Sequence, residues 1–306
     1  MSTPPRKHPQ LVLQKEEDIS PDRYHSAHPD ADNELIDQYF VAIERCDLER
    51  VQECLQSGVP INTYDMSGRT IFHIAAANGS LALVKIVIDY PGIDLNIRSL
   101  DFMLTPLHEA VLAERDEIAE IYINAGAKIN IPNGHGSTAI HMSVKTKSIS
   151  IILLLIKHRI NLNAVDIFCN TALSIAVLDL RDFEISQTLI KHGARVNKSR
   201  FHALYLFHEA ILNCTESDDI VLLKLLVRHG AFVNYVDESG RNALHYAAIG
   251  GLPSLIHYLL HVGVNITVRD KTNRTPLDVA KQFQHRDAIS VMNSFIRSTE
   301  AQTNSP

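Results

Sequence analysis

One short phrase, repeated at an almost fixed step, limits what this chain can fold into. Its fullest form is Leu104-Thr105-Pro106-Leu107-His108-Glu109-Ala110. Altered copies begin at Thr70, Thr138, Thr171, Tyr205, Asn242 and Thr275, so the steps from Thr70 onward are 35, 33, 33, 34, 37 and 33 residues. A period near 33 does not belong to one closed core. It belongs to a supersecondary unit that buries its apolar face only by stacking on copies of itself.

A second marker runs in phase with the first. Units end in a turn, usually glycine-centred, and then an apolar-Asn pair: Gly58 before Ile61-Asn62, Gly92 before Leu95-Asn96, Gly126 before Ile129-Asn130 and Gly230 before Val233-Asn234 are examples. Each end marker precedes the next phrase by 8 residues, or by 9 between Asn96 and Thr105. Counting back from Asn62 places one earlier unit, starting at Asp37.

The phrase Thr-Pro-Leu-His-x-Ala resembles the signature of the ankyrin-repeat family. The resemblance implies an all-α fold, an α-solenoid of helix-turn-helix repeats with short β-hairpin fingers. The array should cover 34–297, with units near 34–64, 65–98, 99–132, 133–165, 166–199, 200–236, 237–269 and 270–297. Residues 1–33 carry five prolines and 298–306 are polar, so both are expected to be disordered tails. The markers Thr70, His73, Thr105, Pro106, His108, Thr138, His141, Thr171, His208, His245, Thr275 and Pro276 take structural roles by the same resemblance. Thr105 suits an N-cap and Pro106 the first helical position.

Departures from the pattern carry information. Arg159 stands where six other units have glycine in the closing turn, Ser174 replaces the marker His, and Tyr205 replaces the marker Thr. The sixth unit has four extra residues near Cys214–Asp219. Asp65, Asn133, Asp166, Asp237 and Asp270 each lie five residues before a phrase. A short acceptor side chain there bonds its own turn's backbone.

Chemistry is harder to find. The 16 histidines invite a metal or catalytic reading. The marker histidines, however, recur at most once per unit and cannot converge on one ion. No phosphate loop, paired-carboxylate signal or nucleophile motif appears, and no cofactor is implied. Cys46, Cys54, Cys169 and Cys214 form no Cys-x-x-Cys pair, so free thiols in a reducing compartment, cytoplasm or nucleus, are expected. A net charge of −6 disfavours nucleic acid. No apolar run approaches the ~18 residues of a membrane span.

What remains is a non-catalytic binding surface, an adaptor or regulator. In the family, partners engage the concave face made by first helices and finger tips. The position after the marker His holds Glu109, Met142, Ile175, Glu209 and Tyr246, and three residues further on stand Leu112, Lys145, Leu178 and Leu212. These are expected to face outward. Phe102, His135, Phe168 and Arg241 are the finger-tip candidates. Three alternatives stay open: an inhibitor of a transcription factor, resembling the IκB proteins but without their acidic tail, a ubiquitin-ligase substrate adaptor, and, last in order, an undetected enzyme or metal protein. Arg6, Lys7, Leu11 and Leu13 resemble a kinase docking peptide, with Thr3 and Ser20 as proline-directed phosphorylation sites beside it.

Overall fold

The computed structural model describes residues 33–197, 205–214 and 219–303. The docking-peptide residues, Thr3 and Ser20, and the extra residues 215–218 lie outside these. Among the described residues the helices fall into consecutive pairs: α1 (Asn33–Glu44) with α2 (Leu48–Gln56), α3 (Ile71–Asn78) with α4 (Leu81–Val87), α5 (Pro106–Leu112) with α6 (Asp116–Asn124), α7 (Ala139–Lys145) with α8 (Ile149–Lys157), α9 (Ala172–Ser174, continued as a π-helical turn Ile175–Asp179) with α10 (Phe183–Lys191), α11 (Leu206–Leu212) with α12 (Asp219–Arg228), α13 (Ala243–Ile249) with α14 (Pro253–His261), and α15 (Pro276–Gln282) with α16 (Arg286–Thr303). First helices pack on first helices and second on second. The core is therefore one continuous seam, and the Phe72 and Tyr122 rings stacked at 5.3 Å are a sample of it.

The first helices start where the marker residues direct. In α5, Thr105 Oγ1 accepts from the His108 N–H at 3.4 Å, and the Thr105 N–H donates to His108 Nδ1 at 3.0 Å. A backbone N–H can only donate, so Nδ1 is unprotonated and the ring proton sits on Nε2. That proton leaves the unit. His73 Nε2 donates to Leu104 O at 2.9 Å, His141 to Asn170 O at 3.1 Å and His245 to Arg274 O at 3.1 Å, each on the following unit.

The end-marker asparagines form a second set of ties. Asn96, Asn130 and Asn163 accept from the backbone N–H of Lys128, Asn161 and Arg195 at 2.7–2.9 Å. Asn62 and Asn197 each span the joint twice, donating to Gly92 O and Gly230 O while accepting from Asp94 and Phe232.

The irregular units show what each departure does. Arg159 adopts φ 62°, the left-handed geometry that Gly126 and Gly193 adopt in the same turn of the flanking units. Ser174 rebuilds its own cap, accepting from the Thr171 N–H at 2.9 Å, but it reaches no further. Tyr205 offers no cap bond. Without a threonine hydroxyl, neither ring nitrogen of the fully buried His208 has a well-formed hydrogen bond among the described residues. Its ring is walled instead by Phe207, Tyr235 and Tyr246. In the fifth unit the first cap, Thr171, and the second, Asp182, are 11 residues apart, where Thr105 and Arg115 are 10. The extra residue is absorbed as the π-turn.

Two sequence expectations need correction. The C-terminal segment does not stop at 297, since α16 runs on to Thr303. No glycine or proline interrupts it, and Ser298 and Thr299 hydroxyls bond back to Phe295 O. The outward positions are the second. Met142, Ile175, Leu178 and Tyr246 are all at most 7% exposed. Tyr246 shows why the position after the marker is covered: its hydroxyl donates to Asp237 of its own unit's finger, which folds over α13. Leu178 is turned inward by the π-turn, whereas Leu112 and Leu212, at the same place in regular helices, are exposed.

Burial pushes the marker imidazoles down from their ordinary 6.5, His108 and His208 to about 4 and His73, His141 and His245 in the same direction. Between pH 6.5 and about 4 the unfolded chain therefore binds protons that the folded chain refuses, and stability falls with acid. His108 alone contributes roughly 3 kcal/mol across that window. The urea midpoint should drop between pH 7 and pH 5, and less steeply in His108→Asn. Leu178→Glu should cost about 3 kcal/mol or more by burying a carboxylate, while Leu112→Glu stays within about 0.5 kcal/mol. Arg159→Gly should gain about 1 kcal/mol by relieving its left-handed backbone. Denaturant titrations of the three variants check these values.

Candidate functional site

The fingers are built from the acceptor residues upward. Asp65 Oδ1 accepts from the N–H groups of Ser67 and Arg69 at 2.9 and 2.7 Å. Asn133, Asp166, Asp237 and Asp270 hold the residues two and four further on in the same way. One backbone bond closes each turn, such as Asp65 N–H to Arg69 O at 2.7 Å. Successive fingers are tied by one more: Leu100 N–H donates to Gly68 O, Gly134 to Phe102 O, Ile167 to His135 O and Lys271 to Ser239 O, at 2.8–3.1 Å. Among the described residues these are hairpin-like turns that do not extend into strands.

The residue two before each phrase is left-handed: Gly68, Met103, Gly136, Cys169, Gly240 and Asn273, with φ between 54° and 77°. Glycine is required where fingers nest, since a Cβ on Gly68 would lie 2.6 Å from that of Leu100. Met103 and Cys169 hold the same geometry with side chains, at about 1 kcal/mol each. They sit in the two fingers that expose aromatic rings.

Phe102 is 56% and Phe168 57% exposed. His135, on the finger between them, is exposed and tilts against Phe102 with ring centroids 6.1 Å apart. Met66 and Ile167, also at turn tips, are exposed and extend the apolar surface. Sequence reading missed these two, although each directly follows an acceptor residue and its position marks it as a tip. The second, third and fifth units carry exposed apolar residues on their fingers, beside Arg69 and Asp101, while the seventh and eighth present Glu238, Arg241, Lys271 and Arg274.

Arg241 is only half exposed and is drawn toward Asp270 on the next finger, at 4.0 Å. Asp270 is gripped by Arg274 through two bonds of 2.8 and 3.0 Å. Burial would raise the Asp270 carboxyl, but the Arg274 and Thr272 bonds outweigh it and hold it well below the usual carboxylate range. Arg241 therefore faces the next finger, and its Nε makes no hydrogen bond among the described residues. On the first helices, Leu112, Lys145 and Leu212 are exposed, and Glu109 and Glu209 are half-buried. Burial raises the Glu109 carboxyl, with Arg69 opposing and Asp101 reinforcing the shift. The candidate surface thus keeps Phe102, His135, Phe168, Leu112, Lys145 and Leu212, flanked by Glu109 and Glu209. Met142, Ile175, Leu178 and Tyr246 lie beneath it.

The described helices include none long and apolar enough to cross a membrane. A family model for ankyrin repeats matches in three copies, at residues 39–133, 107–200 and 207–296. The B-cell lymphoma 3 protein homolog of Mus musculus is 28% identical over 243 residues, 74% of this chain and 51% of that protein. The nuclear factor NF-kappa-B p105 subunit of Gallus gallus is 28% identical over 258 residues, 74% of this chain and 25% of that one. The chain therefore spans about half or less of these relatives' lengths. The crystal structure of the ankyrin repeat domain of Bcl-3, described as a unique member of the IkappaB protein family, aligns with a TM-score of 0.66 at 28% identity, covering 74% of this chain and 99% of that one. With both marker series, the paired helices and the family match covering most of its length, the chain belongs to the ankyrin-repeat family.

Proposed function

We propose that this chain is a non-catalytic scaffold that binds a partner protein across its finger tips and the adjoining first-helix positions Leu112 and Leu212. The exposed pair Phe102 and Phe168 carries this reading. Large apolar rings held on hydrogen-bonded turns match the anchors that dominate interface energetics. The turns are ordered before any partner arrives, so little entropy is lost on binding. Of the finer readings, the relatives favour an IκB-like one, in which the partner is a transcription factor in cytoplasm or nucleus.

Affinity capture from lysate, followed by calorimetry with the recovered partner or with a purified NF-kappa-B-type dimer, tests both levels. Phe102→Ser/Phe168→Ser should melt like the parent chain, since both rings are exposed, and should lose about 30-fold in affinity per ring. Unchanged capture by the folded variant would remove the finger tips from the binding surface. A partner that binds tightly but is no transcription factor would leave the scaffold standing and end the IκB-like reading.

A further inference from the structure

The repeat histidines are consumed by their caps, but α14 carries two that are not repeat markers. His257 and His261 are both exposed and lie four residues apart, one turn along the same helix face. Their Nε2 atoms share a hydrogen bond of 3.1 Å, one ring donating to the other, with ring centroids 4.3 Å apart, and a bound ion would take the place of that proton. Two imidazole nitrogens at 2.0–2.1 Å from one tetrahedral ion would be about 3.3 Å apart, and about 2.9 Å at a right angle. The observed spacing falls between these values. The pair opens onto a groove against α16, lined by Leu260, Ser290, Val291, Ser294 and Phe295. No third His, Cys, Asp or Glu joins them among the described residues.

We propose that His257 and His261 form a two-imidazole site for a borderline divalent cation, zinc in the first instance. An all-nitrogen pair suits zinc, copper or nickel and offers none of the carboxylate oxygens that calcium or magnesium require. Two ligands leave coordination positions to water, and Ser290 and Ser294 line the same groove. A ring nitrogen that binds the ion must be unprotonated, so protons compete with the metal for it.

The test uses the full chain with its thiols alkylated, because Cys46 is exposed and competes for zinc. Zinc is titrated against a chromophoric chelator at pH 7.5 and pH 5.5, with His257→Gln, His261→Gln and the exposed control His192→Gln. The expected result is one zinc per chain at pH 7.5, an affinity at least about tenfold weaker in either single variant and at pH 5.5, and no change in His192→Gln. Since all three side chains are exposed, the variants should melt like the parent. Equal zinc affinity in the parent and both α14 variants, or no binding at millimolar zinc, would overturn the proposal.

Discussion

A neutral imidazole with its proton on Nε2 is the interaction this stack depends on. Two backbone-directed demands fix it. The N–H of the cap residue needs an acceptor at Nδ1, and the carbonyl closing the next unit's finger needs a donor at Nε2. One side chain therefore starts a helix and holds the neighbouring unit in register. A helix of seven or eight residues is far too short to persist alone in water. What stabilises it is the cap at one end and the neighbours on both sides.

Much of this was legible in the sequence, because the period of the markers is the period of the structure. Helix starts, glycine-centred turns, the acceptor residues of the fingers and the left-handed Arg159 all follow from local chemistry that a residue carries wherever it sits. The facing of side chains did not follow. Glu109 and Tyr246 occupy the same register position, and the pattern alone assigns both to the outside. Only the folded chain shows the finger lying over that position, covering Tyr246 and half-covering Glu109. Leu178 differs from Leu112 for another reason: one added residue before Asp182 changes the helix geometry and with it the direction of the side chain. That excess is countable in the chain, but its structural form is not, since a loop would absorb one residue as readily as a helix.

The fingers divide the array chemically. Toward the N-terminal half the fingers expose apolar residues and two of them hold strained backbone at Met103 and Cys169. Toward the C-terminal half the tips are charged, and Arg241 and Arg274 both face Asp270.

The ties between units are unevenly distributed. The joints between the second and third and between the fourth and fifth units carry both an imidazole and an asparagine rung, whereas the first joint has Phe40 in place of the histidine and the last has Thr267 in place of the asparagine. Among the described residues Ser174 and His208 make no well-formed bond across their joints, and Asn197, the exposed bond from Arg181 to Asn213, and Asn234 cross them. A joint with one such rung rests more heavily on its packed helix seam than a joint with two.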